Sequence, residues 1–241
     1  MEPLRDVTHV FLDVGGTLLA PLPGATDIFH GALLRRGHPI DRDTVYRVLR
    51  RAGGVMSLIR PIEAERSKEY FRAFNARMVE HMGVTPDEEL LDEIGGTFQE
   101  IGWELYPEAR PTLEALRDAG FRLGIVSNAS HALPKMLEDA GIASFFDPVT
   151  YSFEAGAEKP DVRIFRRALA QAGSEPEQAV HVGDSYDQDY LGARNAGLHA
   201  ILIQREGDPP EPCPHIRSLS DLLSLLEPSR SRLRPSSEKP L

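Results

Sequence analysis

From residue 110 onward the chain repeats one local pattern. A helical stretch ends at a glycine, a short apolar run follows, and another helical stretch begins. Residues 110–119 stop at Gly120 before FRLGIVSNAS, and the stretch carrying Leu133, Met136 and Leu137 stops at Gly141 before PVTYS. Residues 161–172 stop at Gly173 before AVHVGDS, and a further helix runs to Gly197 before HAILI. Parallel strands need a crossover between them, usually a helix, and end up buried on both faces. Short apolar strands alternating with glycine-stopped helices therefore predict an α/β fold, a Rossmann-like parallel sheet with helices on both faces. VTHVFL at residues 7–12 reads as a strand of the same sheet.

Between that first strand and the repeating part, residues 18–102 show only helical periodicity. Ile28, Phe29, Ala32 and Leu33 form one apolar stripe, and Val45, Val48, Leu49 and Ala52 a second. Phe71, Phe74, Met78 and Met82 form a third, and Leu91, Ile94, Phe98 and Ile101 a fourth. Thr85-Pro86-Asp87-Glu88 predicts a capping box with proline at the first helical position. Four consecutive one-faced helices predict a small bundle inserted just after the first strand. The expected organisation is an α/β core of residues 1–18 and 104–227, a helical insert of 19–103, and a disordered tail of 228–241 rich in proline and serine.

Charge narrows the partners. There are 37 acidic and 27 basic residues, a net charge of −10, which argues against a nucleic-acid partner, since phosphate backbones are bound by a surplus of lysine and arginine. A small phosphate remains possible where a local cation reverses the field. The single cysteine, Cys213, has no disulfide partner and no zinc-like cluster around it. Residues 1–10 lack a basic and apolar leader, and no run approaches the ~18 apolar residues of a membrane span. The expectation is a soluble cytoplasmic protein without a membrane partner.

In open parallel sheets, ligands bind outside the carboxyl ends of the strands. The first strand ends on Asp13, followed by Gly15 and Gly16; the second ends on Ser127-Asn128; Lys159 follows the third; the fourth ends on Gly183-Asp184-Ser185. A carboxylate closing an apolar run before two glycines suits a nucleophile or metal ligand beside a backbone that approaches a ligand closely. It also suits a strand that ends in a solvated turn. The others have ordinary explanations as helix caps, loop charges or turn residues. Four polar tips on one edge point instead to a shared site.

FLDVGGTLL, GIVSNAS, GAEKPDVRIF and VHVGDSYDQDYLGARNAG carry a resemblance, as does LYPEARPTLEALRDAG. Over residues 5–227 the chain resembles haloacid dehalogenase-like hydrolases whose helical cap is inserted after the first motif. The resemblance implies that Asp13 is a nucleophile that becomes an aspartyl-phosphate. It implies that Thr17 and Ser127, with N–H groups around Gly15, Gly16 and Asn128, hold the phosphoryl oxygens, and that Lys159 neutralises their charge. Asp13, the Gly15 carbonyl, Asp184 and Asp189 would hold Mg²⁺, with Asp187 as an outer candidate. An all-oxygen site suits that ion, and converging carboxylates need a cation. The implied partner is a small phosphorylated metabolite, the implied assembly a monomer or homodimer, and the bundle a lid hinged near 18–23 and 102–107. Arg60 and Lys68 in the bundle are candidates for a second anionic group on the substrate.

One position departs from the family pattern. Phosphatases of the family usually carry a second aspartate two residues after the nucleophile, which protonates the leaving alcohol and then activates water. Here that residue is Gly15. General acid–base help is worth about 10²–10⁴-fold in rate, so the expectation is a Mg²⁺-dependent phosphatase that is slow or dependent on its leaving group. His30, His38, Glu63 and Glu65 are candidates for a replacement acid. The alternatives are a non-enzymatic ligand-binding relative, or phosphonate or carbon–halogen cleavage.

Overall fold

β1 (His9–Leu12) is buried along its whole length and lies inside a six-stranded sheet. The computed structural model describes residues 3–56, 64–99 and 102–227. After β1 come β2 (Leu19–Leu22), α1 (Ala25–Arg35), α2 (Arg42–Met56), α3 (Ala64–His81), α4 (Glu88–Gln99) and β3 (Gly102–Leu105). The alternating part follows as α5 (Ala109–Asp118), β4 (Arg122–Ser127), α6 (Leu133–Asp139), β5 (Phe146–Tyr151), α7 (Ser152–Ala155) and α8 (Val162–Ala172). It closes with β6 (Ala179–Gly183), α9 (Gly192–Asn195), β7 (His199–Ile203), β8 (His215–Ile216) and α10 (Leu222–Leu225). By backbone contacts the chain divides into two units, residues 1–19 with 105–241 and residues 20–104.

The sheet of the first unit runs β5-β4-β1-β6-β7-β8, with every adjacent pair parallel. This is the α/β, Rossmann-like core that the alternating pattern predicts. Its register sets up the site. Leu12 lies opposite Ile125 on β4 and Val182 on β6, so the carboxyl ends of the three central strands finish almost level. Side chains alternate across the sheet. Val10 and Leu12 join Leu113 and Leu116 of α5 and Leu133 and Leu137 of α6 on one face. Phe11 joins Ile164, Phe165 and Leu169 of α8 and Ala193 of α9 on the other. Burying each large apolar side chain contributes about 1.5–3 kcal/mol. Gly173 ends α8 at a φ of 62°, the left-handed cap that the helix-stop reading requires.

The second unit has its own core. Ile28, Phe29, Ala32 and Leu33 of α1 pack with Val45 of α2, Met78, Val79 and Met82 of α3, and Leu90 and Ile94 of α4. Most of these lie on the apolar stripes read from the periodicity, but Val79 and Leu90 do not, and Leu91 of the fourth stripe is buried outside this cluster. Ala52, Phe71, Phe98 and Ile101 lie outside the described side chains, as do Arg60, Glu63, Glu65, Lys68 and the tail 228–241.

Three local expectations are corrected, and one further strand appears. Residues 18–102 are not wholly helical, because β2 and β3 pair as a separate two-stranded sheet; strands of four residues are too short to register in a helical window. The start of α4 is capped by Asp87 rather than Thr85, the Asp87 carboxylate accepting the Leu90 N–H at 2.7 Å. The segment Tyr186–Leu191 forms a π-helical turn before α9. The two-residue strand β8 had no sequence signal. Among the described residues, no helix is long and apolar enough to cross a membrane.

Candidate active site

Asp13 directly follows β1, and its N–H donates to Val182 O at 2.9 Å, continuing the ladder toward β6. Asp13 is only 7% exposed. Ser127, the last residue of β4, donates through Oγ to Asp13 Oδ1 at 2.9 Å. Lys159 Nζ donates to the same oxygen at 2.6 Å and to Asp189 Oδ1 at 2.5 Å. Two bonds to one oxygen hold the carboxylate in a single orientation.

Lys159 is 3% exposed and is held from behind by Asn128. Asn128 Oδ1 accepts the Lys159 N–H at 2.7 Å, and Asn128 Nδ2 donates to Lys159 O at 3.0 Å and to Gln188 Oε1 at 3.1 Å. Asn128 therefore ties the lysine loop to the π-helical turn. Asp189, 1% exposed, also accepts from His181 Nε2 at 2.8 Å and from the Ser185 N–H at 3.0 Å. Because an ionised carboxylate only accepts, His181 Nε2 carries a proton toward Asp189.

Charge is shared unequally among these groups. Burial is the largest influence on Asp13 and pushes its carboxyl up; Asp189 adds to this and Lys159 opposes it. Burial also pushes Asp189 up, but the Lys159 ammonium and His181 outweigh it and hold Asp189 below the ordinary carboxylate range. Lys159 is depressed by burial and raised more strongly by Asp13 and Asp189, so it stays charged. One ammonium between two buried carboxylates leaves a negative excess.

A third carboxylate adds to that excess. Oxygens of Asp13, Asp184 and Asp189 all lie within 4.8 Å of one another. Two glycines make room for them. A Cβ on Gly16, which has a φ of 73°, would sit 2.3 Å from Asp184 Oδ2, and one on Gly183 would sit 2.1 Å from Asp189 Cγ. Three converging carboxylate oxygens form a donor set that suits a hard divalent cation. Thr17 is fully buried, and among the described residues its Oγ1 has no hydrogen-bond partner, although a buried hydroxyl without one costs free energy.

The structure thus brings Asp13, Gly16, Thr17, Ser127, Asn128, Lys159, Asp184 and Asp189 to one end of the sheet, with Gly15 between Asp13 and Gly16. A family model for haloacid dehalogenase-like hydrolases matches residues 7–197. The chain belongs to that family. It is 34% identical to a glyceraldehyde 3-phosphate phosphatase of Methanothermobacter thermautotrophicus, over 82% of this chain and 85% of that protein. It is 41% identical to a phosphoserine phosphatase of Thermus thermophilus, over 48% of this chain and 47% of that one. It resembles the crystal structure of a HAD phosphatase from Thermococcus onnurineus with a TM-score of 0.59 and 27% identity, covering 93% of this chain and all of that one.

Three residues of this hydrolase site escaped the sequence reading. His181 sits inside a strand read only for its apolar character. Gln188 lies between two acidic residues that drew attention first. Arg205 follows β7, and its place just past the carboxyl end of a strand in the parallel sheet is the signal that marks it.

Proposed function

We propose that this chain is a Mg²⁺-dependent phosphatase acting on small phosphorylated metabolites through an aspartyl-phosphate on Asp13. The observation that carries the proposal is the pairing of Ser127 and Lys159 on one oxygen of Asp13 beside the cluster of Asp13, Asp184 and Asp189. A nucleophile oriented in this way, with a permanent positive charge beside it, suits attack on an anionic phosphoryl group. Asp13, Asp184, Asp189 and the Gly15 carbonyl would hold the metal. Bound there, the cation would let two anions approach and would stabilise the transferring group.

The protein groups then divide the work. An Asp13 carboxylate oxygen attacks phosphorus as the bond to the leaving oxygen breaks. The buried Thr17 hydroxyl, which has no hydrogen-bond partner among the described residues, is available to the phosphoryl oxygens together with Ser127. Lys159 offsets charge throughout. Water next attacks the aspartyl-phosphate, inorganic phosphate leaves and Asp13 is regenerated. Gly15 can neither protonate the leaving group nor activate that water, so the rate falls steeply as the leaving group becomes more basic.

Phosphate release from a series of aryl phosphates, with Mg²⁺ or with EDTA and beside Asp13→Asn, tests this reading. Turnover is expected only with metal and only in the unsubstituted chain, with a strong dependence on leaving-group pKa. Metal-independent release, or release by the Asp13→Asn variant, overturns the aspartyl-phosphate route. A flat leaving-group series overturns the role given to Gly15.

A further inference from the structure

Arg205 lies two residues beyond β7, and each of its three guanidinium nitrogens has a separate acceptor. Nε donates to Gly16 O at 3.2 Å, one terminal nitrogen to Thr17 O at 2.8 Å, and the other to Glu108 Oε1 at 2.6 Å. The guanidinium also lies 3.4 Å from the ring centroid of Tyr106, and its side chain is 21% exposed. Gly16 and Thr17 immediately precede the point where the chain leaves for the helical unit, and Tyr106 and Glu108 immediately follow its return. Between them, the Tyr106 N–H donates to Leu18 O at 3.0 Å.

We propose that Arg205 is a positioning residue for catalysis, clamping the Gly16-Thr17 segment to the Tyr106–Glu108 segment that follows β3 so that Thr17 Oγ1 and the Asp184 carboxylate keep their places beside Asp13. Both groups depend on that segment. Thr17 carries the buried hydroxyl, and the Asp184 carboxylate fills the space that a side chain at residue 16 would occupy. The segment's own backbone bonds are local: Thr17, Leu18 and Leu19 N–H donate to Val14 O at 3.3, 2.8 and 2.9 Å, and Gly16 N–H donates to Leu19 O at 2.8 Å. They close a tight turn, and the Tyr106 N–H bond to Leu18 O ties only its far end to the returning chain. Arg205 adds the tie at the Gly16 and Thr17 carbonyls. Its planar fork can serve acceptors in three directions while stacking on an aromatic face, which the point charge of a lysine cannot do.

The inference rests on the phosphatase reading for its kinetic arm but not for its structural arm. The kinetic arm compares Arg205→Ala, Arg205→Lys and Arg110→Ala with the unsubstituted chain on p-nitrophenyl phosphate with Mg²⁺. Arg110 is a matched control, since its guanidinium bonds the consecutive carbonyls of Ala140 and Gly141, neither of which belongs to the site. Arg205→Ala is expected to lose roughly 10–100-fold in kcat, as small misplacements in an active site do, with little change in KM. Arg205→Lys recovers little, and guanidinium ion below denaturing concentration restores part of the Arg205→Ala rate. Arg110→Ala keeps its kcat and gains nothing from guanidinium. Equal losses in Arg205→Ala and Arg110→Ala, or full activity in Arg205→Lys, overturn the proposal.

The structural arm is amide hydrogen exchange at Leu18 and Leu19. Faster exchange in Arg205→Ala than in the unsubstituted chain is expected, and unchanged protection there overturns the clamp. Should the unsubstituted chain release no phosphate, the phosphatase reading fails, while exchange still decides the clamp.

Discussion

Replacing Lys159 with methionine removes the ammonium bonded to Asp13 and Asp189 while keeping a long apolar side chain in the same space. The two carboxylates it abandons are 7% and 1% exposed. Removing one partner of a buried ion pair costs about 3–5 kcal/mol. Asp13 keeps its bond from Ser127, and Asp189 keeps those from His181 and the Ser185 N–H, which places the loss near the lower end, about 3–4 kcal/mol at neutral pH. At about 2–4 °C per kcal/mol for a domain of this size, the melting temperature of the α/β unit falls by roughly 6–16 °C.

The pH dependence separates this cause from loss of packing. In the unsubstituted protein, Lys159 is raised above its ordinary value. Its contribution is therefore complete at all pH values below the unfolded lysine range and is lost only as pH rises through the folded value. Asp189 is lowered, so its contribution is present above the ordinary carboxylate pKa and is lost in acid. Without the ammonium, both carboxylates titrate above their unfolded values, and the folded state binds protons that the unfolded state has released. Lys159→Met therefore loses more stability at pH 8 than at pH 5. Calorimetry in EDTA at both pH values measures the deficit, and a repeat with Mg²⁺ should raise the variant more than the unsubstituted chain. A melting temperature unchanged at pH 8, or a deficit equal at both pH values, would refute the electrostatic account of this cluster.

Two other substitutions probe the same end of the sheet. Gly15 is not among the residues with positive φ, so Gly15→Asp meets no left-handed backbone; it is expected to raise kcat on alkyl phosphates by up to about 10²-fold, with a smaller gain on p-nitrophenyl phosphate. No gain on alkyl phosphates in a steady-state comparison would mean that the missing acid does not limit the rate. Gly183→Ala puts a methyl group 2.1 Å from Asp189 Cγ, so the carboxylate must move. Titration calorimetry should show Mg²⁺ affinity reduced by about 10–100-fold, and unaltered affinity would remove Asp189 from the metal site.

Much of this architecture was legible because it rests on local chemistry. Glycine-stopped helices alternating with apolar runs allow few folds other than a covered parallel sheet; the strand tips pointed to Asp13, Ser127, Lys159 and Asp184 before any geometry was known, and the family resemblance added Asp189. The apolar stripe of α1 was equally visible, since burial of one helical face leaves a period that sequence records. What escaped were β2 and β3, too short to show a period, and side chains whose importance depends on who stands opposite. Arg205 reads as an ordinary loop charge until its fork is seen to meet Gly16, Thr17 and Glu108.

The sequence by itself thus determined the residue types: a carboxylate after β1, a lysine, two further aspartates, and a glycine where an acid would be expected. Only the tertiary structure decided that Lys159 neutralises Asp13 and Asp189 together, that Asn128 holds the lysine's backbone, and that Gly16 and Gly183 are spaces filled by Asp184 and Asp189. Local preference and periodicity act over a few residues and are written along the chain. The charge balance and clearances of the site arise between residues up to 189 positions apart, and they exist only once the parallel register has brought the strand ends level.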